Sequence, residues 1–310
     1  MHVFLVRRTV YMILTALIAS FCLFLLFELD PTAVVVDVLG PYSTGEQRLI
    51  WLERNGYNDP FIIRYVQWLS HVAMGDFGTS RIYNMPVASV VWPRLGNSAI
   101  LGLFFFLIMV PLALGLGVLS GMHEGSRLDR VISTVCIVST SVPTFATTVL
   151  VSALLVFYLA WLPGTSSMLD GFSYRELVMP VTVLVMADFG YVARITRAAM
   201  ADVMMTPYIR TALLKGLAYR RVILRHALRN ALIAPFTVIM LHVNWLIAGI
   251  VVVEFFFAYK GFGSLIVQAS LNRDLYLLEA CTIIAVAISV TTQTIADIGY
   301  SFLNPRIRFK

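Results

Sequence analysis

Six apolar runs, at about residues 10–29, 98–121, 131–161, 177–193, 236–257 and 279–303, set the limits on what this chain can become. About 20 apolar residues wound as an α-helix span ~30 Å, the depth of a bilayer's hydrocarbon core. Backbone N–H and C=O groups find no water there, so each run must satisfy its own, and a helix does that within one segment. The runs predict an all-α polytopic membrane protein with six transmembrane helices. Charged residues make up 13% of the 310 and apolar ones 59%, against about 25% charged in a soluble domain. The first run follows Arg7 and Arg8. It is longer than a signal-peptide core and shows no small-residue cleavage site, so it reads as a span.

Orientation follows from the cationic residues. With the amino end inside, the inner segments hold 2, 2, 8 and 3 of the 23 Lys and Arg. Five of the remainder fall in the loop 30–97, which is long enough to be discounted. Both termini are expected in the cytoplasm, together with the loop 199–235. The net charge of +6 therefore marks span ends and not a nucleic-acid surface. Residues 30–97 carry turn signals (Gly40-Pro41, Asn58-Asp59-Pro60, Gly75-Asp76) and an amphipathic piece at 61–74. They read as a small folded external cap on a single transmembrane domain of residues 1–310. The cysteines, Cys22, Cys136 and Cys281, sit in apolar runs without metal-ligand spacing and read as packing thiols. No Walker A sequence occurs, so hydrolysis of ATP through a P-loop is excluded for this chain.

Polar residues inside the spans need partners or a wet face, because a charge at mid-membrane costs roughly 2.5–3.5 kcal/mol on insertion scales. Asp188 stands out, and it reads either as the lining of a pore or as structural, through a helix–helix hydrogen bond or a pairing with an interfacial arginine. Ser139, Thr140 and Ser141 precede Pro143, where a kink is expected; their hydroxyls either line a path or satisfy the carbonyls the kink frees. His242 and Asn244 read as packing residues, since no second histidine has metal spacing. Glu254 precedes an aromatic turn ending in Gly261-Phe262-Gly263, a gate or an ordinary interfacial turn. Gln293 and Asp297 read as structural. Ala113, Gly117 and Gly121 form a small-residue face for close helix packing.

The most basic stretch, 206–235, lies between two apolar runs and contains six cations and no acidic residue. Thr206-Pro207 predicts an N-cap and first helical turn, and Gly216 a stop at the C′ position. A second helix is expected from about Ala218, with Arg221, Arg225 and Arg229 at i, i+4 spacing. A short capped helix at a membrane surface suits a partner's groove; contact with anionic lipid is the other reading.

Tyr208-Ile209-Arg210-Thr211-Ala212, Lys215-Gly216-Leu217 and Arg225-His226-Ala227-Leu228-Arg229-Asn230-Ala231-Leu232 resemble the EAA loop of bacterial ABC-importer permeases, more narrowly the dipeptide, oligopeptide and nickel permeases. Ala234 stands where that family often has proline, and Pro235 follows. The cap is similar to the family's first external loop in the order of Thr44, Glu46-Gln47, Asp59-Pro60, Arg64-Tyr65, Trp68-Leu69, Gly75-Asp76-Phe77-Gly78 and Pro86-Val87. Asn272-Arg273-Asp274 and the tail Asn304-Pro305-Arg306-Ile307-Arg308 extend the likeness over essentially the whole chain.

The resemblance implies a type I ABC-importer permease of the bacterial inner membrane. Tyr208, Ile209, Arg210, Thr211, Ala212, Lys215, Gly216 and Leu217 would form the helix that couples to a cytoplasmic ATPase. Ser141, Pro143, Asp188 and Glu254 are the candidates for the translocation path, and Asp188 stands where the family has small or apolar residues. The implied partners are a second homologous permease, two cytoplasmic ATPases that hold ATP and Mg, a periplasmic or lipid-anchored substrate-binding protein, and membrane lipid. No cofactor, metal or catalytic residue is expected in this chain. A stand-alone ion-coupled transporter or channel would need no ATPase and would use Asp188 or Glu254 for protons; the capped basic loop and the lack of an internal repeat speak against it. An intramembrane enzyme lacks its residues, with no HExxH and no paired-aspartate motif.

Overall fold

The computed structural model describes residues 2–28, 31–168 and 171–303. The tail motif at 304–308 lies outside the described residues, as do the side chains of Asn244 and Asp297. Among the described residues four helices are long and apolar enough to cross a membrane: Thr9–Leu26, Val87–Met122, Tyr174–Met204 and Leu275–Ala296. Two bent pairs, Arg127–Ser141 with Thr144–Tyr158 (105°) and Tyr219–Ala231 with Ile233–Val243 (49°), bring the number to six if each pair is one span. Contacts divide the chain into two units: Met1–Ser98 with Lys260–Thr294, and Ala99–Tyr259 with Ile295–Lys310.

In the first unit, α1 (His2–Glu28) is followed by the helices of the cap: α2 (Pro31–Leu39), α3 (Gly45–Arg54) and α4 (Phe61–Ala73). Thr44 and Gln47 close a capping box on α3. Phe21 and Phe24 of α1 meet Phe61, Tyr65 and Trp68 of α4 with ring centroids 5.2–5.7 Å apart, in the offset and edge geometries that aromatic quadrupoles favour. Arg64 pairs with Glu28 and lies 4.8 Å over the Tyr57 ring. Burial raises the Glu28 carboxyl above its ordinary range, with Arg64 pulling the other way.

A two-residue ribbon, β1 (Thr79–Ser80) against β2 (Met85–Pro86), hangs from Asp274. Its carboxylate, buried, accepts from Ser80 Oγ at 2.6 Å and from Ile82 N at 3.0 Å. The aspartate of the Asn272-Arg273-Asp274 run thereby ties the start of the last helix to the cap. The cap is thus held by buried polar bonds as well as by Val87, Val91, Phe262, Leu265, Leu277 and Cys281.

In the second unit the carboxyl-terminal part of α5 (Val87–Met122), α6 (Arg127–Ser141), α7 (Thr144–Ser152, extended by a π-helical turn Ala153–Tyr158) and α8 (Tyr174–Met204) share a core around Phe105, Met109, Leu184 and Val192. The small-residue face of α5 lies on α8: a Cβ at Gly121 would sit 2.7 Å from Arg197 O and 2.7 Å from Met200 Cβ. Gly190 of α8 lies equally close to the backbone of Cys136. Gly121→Val should therefore cost about 1–3 kcal/mol through forced helix separation and lower the thermal midpoint of the detergent-solubilised protein. Gly115→Ala, where nothing lies within 4 Å, is the control expected to leave it in place.

The third span is broken where a kink was predicted. Val142 is extended (φ −91°, ψ 124°) and α7 starts anew after Pro143. The residue before proline is pushed out of the helical region and proline supplies no N–H, so α6 ends and the chain turns. The hydroxyls before the break bond away from it: Thr140 donates to Cys136 O (3.1 Å) and Ser141 to Ile137 O (2.7 Å) within α6, and Ser139 donates to Met186 O on α8. The later helices are α9 (Pro207–Leu214), α10 (Tyr219–Val222), α11 (Leu228–Ala231), α12 (Ile233–Phe256), α13 (Phe262–Leu271) and α14 (Leu275–Leu303).

Candidate transport site and coupling surface

α9 follows directly on the end of α8 and is closed at both ends by its sequence. Pro207 takes the first helical position. Thr206 occupies the N-cap with extended backbone, but its hydroxyl donates to Val203 O at 2.5 Å and gives α9 no side-chain cap. At the other end Gly216 is left-handed (φ +77°). Its N–H reaches Leu213 O at 2.9 Å and that of Leu217 reaches Ala212 O at 3.4 Å, the paired bonds of a Schellman stop.

Ile209 and Ala212 are buried against Met200, Val222, Ile223 and Ala227, with Leu217 packed alongside. Tyr208, Arg210, Thr211, Lys215 and Gly216 are exposed on the other side. Leu214, 80% exposed, joins them as an apolar contact that polarity-led sequence reasoning passed over. Asn230 Nδ2 donates to Tyr208 OH at 2.8 Å and ties the returning segment to α9.

That returning segment is not the single helix expected from Ala218. It runs as α10, a π-helical stretch Ile223–Ala227, and α11, with Leu228 N–H bonding five residues back to Ile223 O. The π register breaks the i, i+4 row of Arg221, Arg225 and Arg229, although all three stay exposed.

Farther along α8 a cavity of about 680 Å³ opens between α6, α8 and α12. Its wall is made by Ile137, Thr140 and Ser141 from α6, Ala187, Asp188, Tyr191 and Arg194 from α8, and Val238, Leu241 and His242 from α12. Asp188 Oδ1 lies 3.9 Å from His242 Nε2, and the His242 ring stacks on Tyr191 with centroids 5.6 Å apart. His242, read from sequence as a packing residue, faces the Asp188 carboxylate. Of the four path candidates, Asp188 and Ser141 share this cavity, and Pro143 sits at the helix break beside it. Glu254 lies outside its lining, fully buried near the end of α12, with its carbonyl accepting from Tyr259 N at 2.8 Å.

A polar clamp escaped sequence reasoning. Asp129, 3% exposed at the start of α6, receives both arms of the Arg197 guanidinium, Nε at 2.6 Å and Nη2 at 2.8 Å. Ser120 Oγ (2.5 Å) and Gly125 N (2.9 Å) complete its bonding. The signal was the cap Ser126, whose Oγ accepts from Asp129 N at 3.1 Å.

A sequence profile described as the binding-protein-dependent transport system inner membrane component matches residues 113–309, and its amino-terminal companion profile matches residues 1–100. The chain belongs to this family. As an inner-membrane component of a binding-protein-dependent transport system it is a multi-pass protein of the inner membrane, a permease subunit of an ABC transporter. It is 32% identical over 316 residues to the oligopeptide transport system permease protein AppB of Bacillus subtilis, with all of both chains covered. It is 30% identical to a probable peptide ABC transporter permease protein of Sinorhizobium fredii, again over both full lengths. To the oligopeptide transport system permease protein OppB of Escherichia coli K12 it is 32% identical over 253 residues, 81% of this chain and 82% of the relative.

Proposed function

We propose that this permease subunit forms half of a translocation path for peptides or related small solutes. A second homologous permease completes the path, and two cytoplasmic ATPases that hold ATP and Mg drive it. A periplasmic or lipid-anchored binding protein delivers the substrate. The chain itself is non-catalytic and carries no cofactor. In this reading six spans leave both termini and the loop 199–235 in the cytoplasm, with residues 30–97 outside. The peptide permeases among the chain's relatives are what point to peptides.

One observation carries the reading: α8 lines the cavity at Asp188, Tyr191 and Arg194 and ends on α9, whose outer face is exposed and whose inner face is packed. Nucleotide-driven closure of the ATPases would push on Tyr208, Arg210, Thr211 and Lys215. The buried Ile209 and Ala212 would hand that push to α8 and so to the cavity wall. A charged peptide cannot cross hydrocarbon, and Asp188, Thr140 and Ser141 supply the polar lining it needs.

Purification of the tagged chain from its native membrane is expected to bring nucleotide-hydrolysing subunits with it. A Leu214→Cys variant should react with an impermeant maleimide only from the cytoplasmic side. Labelling from outside, or a complex without nucleotide hydrolysis, overturns the reading.

A further inference from the structure

We propose that the α6–α8–α12 cavity is a peptide-end site, in which Asp188 takes the substrate's terminal ammonium and Arg194 its terminal carboxylate. The inference rests on the reading of the chain as half of a peptide path and names what that path recognises. Two ionic groups of opposite sign line one cavity of about 680 Å³, a volume within the range of small-molecule sites. Neither carries a hydrogen bond with the protein among the described residues. The ion-pair neighbour of Asp188, the His242 imidazole, stands at 3.9 Å, beyond hydrogen-bond reach. Arg194, exposed into the same space, makes no hydrogen bond or ion pair among the described residues.

Charges held unmatched at a membrane helix are costly, and a ligand that matches both removes the cost. The spacing suits a short chain with two charged ends. Asp188 and Arg194 are six residues apart on α8, a rise of ~9 Å. Two or three extended residues cover ~7–10 Å, and the length of the arginine side chain adds tolerance. His242, with Nδ1 3.3 Å from Val238 O and its ring stacked on Tyr191, stays beside Asp188 and leaves room for an arriving ammonium. A ligand with one charged end would leave one anchor unmatched, so the site favours free peptides over blocked ones.

The test uses the complete importer in membrane vesicles, in a Cys22→Ser background because Cys22 is the exposed thiol and Cys136 and Cys281 are buried. A reporter thiol, Ser141→Cys, is placed in the cavity wall and its modification by a cationic methanethiosulfonate is timed. Tri-alanine is expected to slow labelling about tenfold, as charge-assisted bonds at each end allow, whereas N-acetyl-tri-alanine amide is expected to leave the rate unchanged. Asp188→Asn and Arg194→Gln should each abolish the protection by tri-alanine, and Asp188→Glu should retain it. Equal protection by both peptides, or protection that survives Asp188→Asn and Arg194→Gln, overturns the proposal. ATP-dependent uptake of tri-alanine by the importer with Ser141 intact is measured alongside. Uptake without end-specific protection overturns the anchors and leaves the peptide path standing; absence of uptake overturns both.

Discussion

Gly216→Pro is expected to reduce ATP-dependent uptake to background while the chain still reaches the membrane in normal amount. Gly216 stands at φ +77° with nothing within 4 Å of where a Cβ would point, so its requirement is conformational and not steric. Proline is locked near φ −65°, and it would also delete the N–H that bonds Leu213 O at 2.9 Å; a helix loses about 3 kcal/mol or more from such a change. The Schellman stop would open, and Leu217 would leave the seat it shares with Ile209 and Ala212. Gly216→Ala keeps the N–H and pays only the left-handed penalty of about 1–2 kcal/mol, so uptake should fall in part. Quantifying uptake against the amount of chain in the membrane separates the cases. Full uptake by the proline variant would remove coupling from this turn.

The Asp129 clamp carries the second large effect. Asp129→Ala would leave the Arg197 guanidinium with Glu124, half exposed and 3.7 Å away, as its remaining anion, and breaking a buried pair on one side costs about 3–5 kcal/mol. Because Arg197 is partly exposed, with 29% of its side chain accessible, the lower end of that range is expected. The thermal midpoint of the solubilised protein should fall markedly. The double change Asp129→Leu with Arg197→Met, which replaces both charges by apolar groups of similar size, should recover much of the loss. A single alanine variant as stable as the parent would show that the pair does not hold α6 to α8.

Much of this was legible in the sequence because it depends on local rules. Apolar runs located the spans, Pro207 and Gly216 bounded α9, and the amphipathic piece at 61–74 became α4. The readings that missed depend on partners far away in the chain. Asp129 has no local sign of its partner, since Arg197 lies 68 residues on. His242 looked like packing because nothing local announces Asp188, which lies 54 residues earlier on α8. Thr206 has the composition of a cap, yet its hydroxyl finds Val203 O first. Proline announced a disturbance at 143, but whether a helix bends or ends there depends on what packs beside it, and here Ser139 reaches across to Met186 O on α8. Leu214 was passed over because an exposed leucine on a mostly basic loop carries no polar signature.

The helix break at Val142 has a consequence for how the protein is made. α6 has 15 residues and α7 with its π-helical turn another 15, each about 22 Å long at 1.5 Å per residue and short of the ~30 Å needed to cross alone. α6 also begins with Arg127, Asp129 and Arg130. What holds it at depth comes from α8: the close seat of Gly190 on Cys136, the Ser139–Met186 bond and the Arg197 clamp. The ribosome finishes α6 well before α8 exists, yet the bilayer can keep the first only once the second has arrived, so biogenesis of this segment waits on its successor.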